Sequence, residues 1–504
     1  MTNLKCFRLF FLLVLIFSSL PCNAAAILVK ERVPQKNRYV LYIKAYDWGA
    51  AGEKAVLNIG KKVAADSVHP EDFEVTRVLM PSDITNSLFG ISKGERKVVR
   101  AFVSDEKGNE VFSESRYITL EFEISPEAEN QNPFVTNIFL TGSFNNFFGL
   151  KFENEALDFR ITRLEALVCP EAARFGFGIM NDEEVSVKYA YYENEYRNRS
   201  QNESSALILW MHGIAEGGQN PYIPLLGTKA VNLSENFIQK YFSGGADLIV
   251  PQCPTGWLET TTKDVFGLRM WAPVDIEGTV NNAAKSVGEY LGMDVSVTGT
   301  AGGADVNYGS GASGGAGGAS GSSGRKVNGR DENYIPPASV SYYSNVIRKI
   351  IDDYLEKHPY IDRNRIYIGG CSAGGYMTVN MVLQNPELFA AAFTACEAYP
   401  DSKITEKQLS VLSGIPFWFT HSENDRTIKP KNHDADTVRR LRAIGAKDLH
   451  FTMYPDVRDL SGTWKNPDGS PFQFDNHASW IYVLNNSPEE NGVSLFEWLG
   501  KKRK

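Results

Sequence analysis

Cysteine is scarce in this sequence, and its spacing argues against a metal site. The 504-residue chain has six cysteines, and none stands at the Cys-x-x-Cys or Cys/His spacing that zinc sites use. We therefore expect no metal and no other cofactor. Two cysteines fall in an N-terminal leader, and the remaining four are Cys169, Cys253, Cys371 and Cys396. One or two disulfides among these four are compatible with an oxidising compartment, and the spacing leaves their pairing open.

The chain also lacks a concentration of positive charge. It has 52 lysines and arginines against 60 acidic residues, for a formal net charge of −8, and no basic block stands out. We therefore expect no nucleic-acid partner. The hydrophobic fraction of 43% and charged fraction of 22% exclude global disorder. A chain of this length is expected to form two or three domains.

A long hydrophobic run occurs only once. Residues 9–20 are almost wholly apolar, follow Lys5 and Arg8, and precede small residues at 22–26. The run is short for a bilayer span, and this order of segments is typical of a cleaved secretory signal. We expect residues 1–25 to be a signal peptide and the mature protein to be exported, periplasmic or extracellular, with no membrane attachment. An uncleaved anchor is the alternative.

Helical patterns are missing before about residue 200. Residues 38–46, 97–104 and 116–125 partly alternate apolar and polar side chains, as half-buried strands do. This part of the chain is expected to form an antiparallel β-sandwich. After residue 205, continuous apolar runs at 206–211 and 246–250 alternate with helical patterns, which predicts a mostly parallel α/β sheet with flanking helices.

Glycine is abundant, but its excess is confined to one tract. Residues 299–324 contain 11 of the 43 glycines. With its flanks, residues 298–328 form a Gly/Ser/Ala-rich insert within the α/β half, and this composition is typical of a flexible loop. An active-site lid is the alternative.

A serine lies in a motif that places a nucleophile at a sharp turn. Gly370-Cys371-Ser372-Ala373-Gly374 has the form G-x-S-x-G and stands between a predicted strand and a predicted helix. Small neighbours allow the tight turn, so the Ser372 hydroxyl projects from the sheet. Ser372 is predicted to be the nucleophile.

The base and the acid are expected to follow the serine along the chain. In this fold the order is serine, acid, histidine. The histidines after Ser372 are His421, His433, His450 and His477. His477 is predicted to be the base because it lies in a loop after the last predicted strand. Asp425, which follows the strand at 415–420, is the predicted acid, with Glu423 and Asp456 as alternatives.

Backbone amides near Ser372 are candidates for an oxyanion hole. One is Ala373, and the other is expected from Ile214 or Gly213, in the glycine-rich loop after a strand. One such donor typically lowers the barrier by about 2.7–4 kcal/mol. Two further residues, Trp257 and Glu216, are candidates for the substrate pocket; the alternative roles are core packing for Trp257 and bracing of the loop for Glu216.

Four segments resemble a known family. They are His212-Gly213-x-x-Glu216-Gly217-Gly218, Pro251-Gln252-Cys253-Pro254, Gly369-Gly370-Cys371-Ser372-Ala373-Gly374-Gly375-Tyr376-Met377 and His477-x-Ser479-Trp480. They look like secreted bacterial esterases with an N-terminal immunoglobulin-like domain before an α/β-hydrolase domain, related to polyhydroxybutyrate depolymerase-like and feruloyl-esterase-like enzymes. The resemblance implies hydrolysis of carboxylic esters by a Ser372–Asp425–His477 triad.

The resemblance also divides the chain. It implies an immunoglobulin-like domain over residues 26–180 and a catalytic domain over residues 181–504, and the segment around 260–337 is longer than this family leads us to expect. The expected partner is a small or polymer-derived ester, and the oligomeric state is left open. Two alternatives are a prolyl-oligopeptidase-like peptidase, which would need propeller repeats that the sequence lacks, and a non-catalytic protein that binds carbohydrate or cell surfaces.

Overall fold

The computed structural model describes residues 28–79, 94–139, 142–182, 185–195, 203–254, 257 and 342–504. The predicted signal peptide at 1–25 and the Gly/Ser/Ala-rich insert at 298–328 lie outside the described residues. Within the described part of the chain, no helix has the length and apolar character needed to cross a bilayer.

Two β-sheets form the N-terminal half. In chain order the strands are β1 (Leu28–Val29), β2 (Arg38–Tyr46), β3 (Gly49–Val63), β4 (Glu74–Leu79), β5 (Gly94–Glu95), β6 (Val98–Ser104), β7 (Ser115–Phe122), β8 (Phe134–Phe139), β9 (Gly142–Asn154), β10 (Phe159–Ile161) and β11 (Arg163–Val168). One sheet has the order β1-β11-β2-β3-β7-β6, and the other has the order β10-β9-β4-β5, with β8 paired to β9. Pairing is antiparallel except for β11, which is parallel to both β1 and β2.

A buried tyrosine joins the two sheets. Tyr39 of β2 is fully buried, and its hydroxyl accepts a hydrogen bond of 2.7 Å from the backbone N–H of Leu150 in β9. Its ring contacts Phe152 edge to face at 4.8 Å between centroids. Because the hydroxyl is satisfied, the apolar ring can occupy the core without an unpaired polar group. The predicted β-sandwich is confirmed, with two parallel pairings that local alternation does not encode.

A third sheet forms the C-terminal half. Its strands are β12 (Gly176–Asn181), β13 (Ser186–Tyr192), β14 (Ser205–Met211), β15 (Ala246–Gln252), β16 (Ile361–Cys371), β17 (Ala391–Ala395), β18 (Phe417–Ser422) and β19 (Leu449–Tyr454). Their spatial order is β12-β13-β15-β14-β16-β17-β18-β19. The strands from β15 to β19 are parallel, whereas β12 and β13 pair antiparallel. The predicted boundary after residue 180 therefore falls inside the first strand of this sheet.

Helices cover the third sheet. They are α1 (Tyr222–Leu226), α2 (Asn236–Gln239), α3 (Tyr342–Lys357), α4 (Ala373–Gln384), α5 (Glu406–Ser413), α6 (Asp434–Ala443), α7 (Trp480–Leu484) and α8 (Leu495–Gly500). Short 3₁₀ turns lie at Ala65–Ser67, Pro70–Asp72, Ile214–Glu216, Ala230–Ser234 and Asp401–Lys403, and a hairpin pairs β20 (Glu489–Glu490) with β21 (Val493–Ser494). All seven residues of β14 are buried, as expected for a strand covered on both faces. This confirms the α/β-hydrolase architecture.

The sandwich contacts the loop that carries His477. Trp48, in the turn between β2 and β3, meets Trp464 edge to face at 5.1 Å and stacks near Phe474 at 6.2 Å between centroids. Phe474 precedes His477 by three residues. Beside these rings, Asp47 accepts hydrogen bonds from Lys229 and from Asn485 of the C-terminal half, at 2.9 and 3.1 Å. The loop that carries His477 therefore packs partly against the other domain.

Candidate active site

Ser372 lies at a strained turn between β16 and α4. Its φ of 55° and ψ of −121° are unusual for a residue with a side chain, and such conformations cost about 1–3 kcal/mol. The neighbouring glycines are sterically required. A Cβ on Gly374 would overlap the carbonyl oxygen of Met211, and one on Gly370 would lie 2.5 Å from the carbonyl oxygen of Gly374. The turn expected from the G-x-S-x-G motif is therefore present, and close packing holds it.

The structure brings the three predicted catalytic side chains together. The Ser372 hydroxyl lies 2.9 Å from Nε2 of His477, and Nδ1 of His477 lies 2.7 Å from Oδ2 of Asp425. Three separate segments supply them: the turn after β16, the loop after β18 and the loop before α7. Ser372 is 8% exposed, so its hydroxyl sits at the edge of the interior.

The alternative acids are placed elsewhere. Glu423 is exposed at the surface. Asp456 forms an ion pair with Arg458 at 2.6 Å. Asp425, in contrast, is 3% exposed and directed at the imidazole. The choice of Asp425 from its position after β18 therefore agrees with the geometry.

Asp425 is saturated with hydrogen bonds. Its Oδ1 accepts from the backbone N–H groups of Thr427 and Ile428 at 2.8 and 2.9 Å. Its Oδ2 contacts both His477 and Nε2 of His421, the latter at 3.1 Å. Burial raises the pKa of Asp425, but the hydrogen bonds from the two histidines outweigh it and bring the pKa well below its ordinary value. The carboxylate is thus ionised and fixed in orientation.

His477 is held as a base with a raised pKa. Burial lowers the pKa of its imidazole, whereas Cys396 and the hydrogen bond to Asp425 raise it, and the net shift is upward from 6.5. Cys396 is fully buried, and its sulfur lies within 4.8 Å of a carboxylate oxygen of Asp425 and of a ring nitrogen of His477. Asp425 can therefore stabilise the imidazolium that forms when His477 takes a proton from Ser372.

The two predicted oxyanion donors, Ala373 and Ile214, both lie at the start of a helical turn. Ala373 is the first residue of α4, so its N–H has no acceptor within the helix. Ile214 is likewise the first residue of the 3₁₀ turn Ile214–Glu216. The N–H of Gly213, however, donates to Oε2 of Glu216 at 3.0 Å. The expectation that Gly213 could be the loop donor is therefore corrected, and Ile214 remains.

Glu216 braces this loop from within. It is 7% exposed and closes a capping arrangement across the 3₁₀ turn through the Gly213 amide. Burial raises the pKa of Glu216 to about 8, although the bond from Gly213 opposes the rise. A buried carboxyl group that holds a loop amide does not line an open pocket. The structure thus favours the bracing role over the pocket role.

Trp257 is also a packing residue. It is fully buried, and its indole N–H donates to the carbonyl oxygen of His212 at 2.8 Å. His212 in turn accepts at Nε2 from the N–H of Cys253 at 2.9 Å, and burial lowers the pKa of His212 to about 4. The prediction that Trp257 lines the substrate pocket is corrected by this burial, because the indole supports the backbone from which the oxyanion loop begins.

Two residues at the site, His421 and Cys396, are not predicted from the sequence. His421 lies in β18, yet it contacts the acid directly. Its spacing of four residues before Asp425 was the available signal. Among the described residues, Cys169, Cys253, Cys371 and Cys396 are all buried, and no disulfide joins any two of them. The structure therefore contains none of the disulfides that were left open for these four cysteines.

Two families match parts of the chain. Residues 38–215 match the Esterase Ig-like N-terminal domain, and residues 349–400, which include Ser372, match the Prolyl oligopeptidase family. No curated protein matches the sequence significantly.

The chain is similar to several solved structures. A thermostable esterase superposes with a TM-score of 0.56 at 19% identity, covering 93% of this chain and all of the other (100%). A ferulic acid esterase gives a TM-score of 0.33 at 10% identity, covering 56% and 89% of the two chains. An acylaminoacyl peptidase from Pyrococcus horikoshii gives 0.34 at 12% identity, covering 81% and 52%. The chain therefore has an immunoglobulin-like domain followed by a domain with the α/β-hydrolase fold.

Proposed function

We propose that the protein is an exported carboxylic ester hydrolase that works through an acyl-enzyme. The observation that carries this proposal is the continuous hydrogen-bond path from Ser372 through His477 to Asp425, at 2.9 and 2.7 Å. A serine hydroxyl needs an adjacent base to become a nucleophile, and the base needs a partner for its positive charge.

The reaction proceeds in two halves. The Ser372 oxygen attacks the ester carbonyl while Nε2 of His477 takes the hydroxyl proton, and the amides of Ala373 and Ile214 stabilise the oxyanion. His477 then protonates the departing alcohol as the acyl-enzyme forms. Water enters, loses a proton to His477 and attacks the acyl carbon, which releases the acid and restores Ser372.

The N-terminal domain favours an ester over a peptide substrate. Residues 38–215 match a domain that is described in esterases, and the described strands of this half form two packed sheets. The match of residues 349–400 to the prolyl oligopeptidase family keeps peptide hydrolysis as the second candidate. Polyhydroxybutyrate-like and feruloyl-like esters are the proposed substrate subclasses, small or polymer-derived, and export rests on the signal-like residues 1–25. Binding to carbohydrate through the sandwich alone would leave the triad without a use.

A substrate panel tests the proposal. p-Nitrophenyl esters of increasing acyl length, feruloyl and hydroxybutyrate esters, and matched peptide amides are compared on one preparation. Ser372→Ala is expected to abolish ester turnover, whereas Ser410→Ala, which alters an exposed serine of α5, leaves it unchanged. An active Ser372→Ala variant contradicts the acyl-enzyme, and faster turnover of amides than of esters assigns the enzyme to the peptidases.

A further inference from the structure

His421 lies behind the catalytic acid and is completely buried. It stands in β18, four residues before Asp425, and its side chain has no exposed surface. The mechanism above does not use it. A buried histidine in direct contact with a carboxylate changes the pKa of that carboxylate more strongly than a histidine at the surface would.

Both ring nitrogens of His421 face acceptors. Nε2 lies 3.1 Å from Oδ2 of Asp425 and 2.9 Å from the carbonyl oxygen of Ile428, and neither partner has a hydrogen to give. Nδ1 lies 2.6 Å from Oδ2 of Asp434, at the start of α6. An imidazole that donates on both sides is an imidazolium. Burial lowers the pKa of His421, but Asp434 and Asp425 raise it, to about 11 overall.

Several other titratable groups surround His421 and its two aspartate partners. Burial raises the pKa of Glu397 well above its ordinary value, and the nearby Asp434 adds to the rise. Burial lowers the pKa of His433, the residue before α6. Burial also raises the pKa of Asp434, a rise that its contact with His421 opposes. Cys396 and His477 complete the surroundings. The two carboxyl groups in direct contact with His421 are those of Asp425 and Asp434.

We propose that His421 is a positioning residue for the catalytic acid, an imidazolium clamped between Asp434 and Asp425 that orients Oδ2 of Asp425 toward His477. The proposal rests on the proposed function of the triad. Because the same oxygen of Asp425 is shared between two imidazoles, the positive charge of His421 also weakens the pull of Asp425 on the proton of His477. His421 therefore keeps His477 less basic than an unshared carboxylate would.

Removal of this charge should change the pH dependence as well as the rate. The double variant His421→Gln/Asp434→Asn removes the cation together with its second carboxylate, whereas Asp434→Asn alone leaves the cation beside Asp425 with one carboxylate fewer. The acid limb of the profile of kcat/KM against pH, which reports the free enzyme, should move upward by about one unit in the double variant and should not move upward in Asp434→Asn. The value of kcat should fall about tenfold because Asp425 is less well oriented.

A second histidine in the same sheet provides a matched control. His450 of β19 also stands between two carboxylates, at 2.8 Å from Glu490 and 3.3 Å from Asp448, but it does not contact Asp425. His450→Gln should leave the acid limb at its original pH. Circular dichroism and thermal melts identify any variant that is not folded.

The outcome separates positioning from packing. An acid limb that stays in place in the double variant, whatever the loss of kcat, overturns the proposal and leaves His421 as a packing residue. If neither variant folds, ¹⁵N NMR of the histidine rings in the unaltered protein decides: a doubly protonated His421 at pH 8 is expected, and a neutral ring refutes it. Failure of the proposed function is distinguishable, because it appears as an active Ser372→Ala variant.

Discussion

Replacement of Trp48 by alanine should lower catalysis from a distance. Trp48 belongs to the sandwich, yet its ring contacts Trp464 and Phe474 of the catalytic domain, at 5.1 and 6.2 Å between centroids. It also stacks on Tyr46 at 4.7 Å. Since Phe474 lies three residues before His477, the alanine variant removes a support of the loop that positions the base.

The size of the effect follows from the rings that are lost. Full burial of a tryptophan would make its truncation cost about 3–5 kcal/mol. Trp48 is only partly buried, so about 2 kcal/mol is a reasonable figure, including aromatic contacts of about 0.5–1.5 kcal/mol each. A loop destabilised by this amount samples misplaced positions of His477, and about tenfold or more in kcat should be lost, since 1.4 kcal/mol corresponds to about tenfold.

The assay compares kcat, KM and thermal melting with a surface control. Phe112, on the same domain, is 91% exposed, so Phe112→Ala should leave all three unchanged. A covalent serine probe applied to Trp48→Ala measures the fraction of reactive Ser372. Wild-type kcat in a folded Trp48→Ala variant would refute the idea that the sandwich supports the His477 loop. A role of this domain in binding insoluble polymers would then be the alternative.

Three further outcomes follow from the site. Because the raised pKa of His477 must be passed before the imidazole is neutral, kcat/KM should fall as pH decreases, with its acid limb above pH 6.5; a limb below 6 would contradict this. Gly374→Ala should abolish activity and lower the free energy of unfolding by about 1–3 kcal/mol, because the added Cβ overlaps the carbonyl oxygen of Met211. Normal melting and activity of this variant would show that the turn can open. The pKa of Glu216, raised to about 8 by burial, makes its contribution to stability present below the unfolded value near 4.5 and lost as pH rises through 8. Glu216→Gln should therefore melt higher than the wild type at pH 9 and by a smaller margin at pH 6, and equal differences at both pH values would disprove the linkage.

Local patterns predicted the elements that depend on local sequence. The expected strand at 38–46 coincides with β2, and the helix expected after the G-x-S-x-G motif is α4, which begins at Ala373 within the motif. The sharp turn at Ser372 was also predictable, since the glycines around it are needed in any packing of this turn. The resemblance supplied the immunoglobulin-like assignment of the first half, which periodicity alone identifies only as a sandwich.

Features that depend on long-range packing could not be predicted in this way. The parallel pairing of β11 with β2 joins residues more than a hundred positions apart, and alternation within a strand does not encode its partner. Gly213 and Ile214 are equally plausible amide donors until the carboxylate of Glu216 is seen to occupy one of them. Trp257 follows the end of a strand, a position that favours a role in lining a pocket. In the structure its indole is instead buried in the core, where it donates a hydrogen bond to the carbonyl oxygen of His212.

The catalytic base and acid are supported by different parts of the molecule, and this difference makes their perturbations separable. Asp425 is held by two backbone amides and by His421, all within the catalytic domain. His477 depends on a loop that packs against Trp48 of the sandwich. A change at Trp48 should therefore reduce kcat by misplacing the imidazole without moving the acid limb, whereas a change at His421 should move the limb because it alters the charge on the far side of Asp425. If both variants moved the limb equally, the two supports would act as one unit, and the assignment of charge control to His421 would lose its basis.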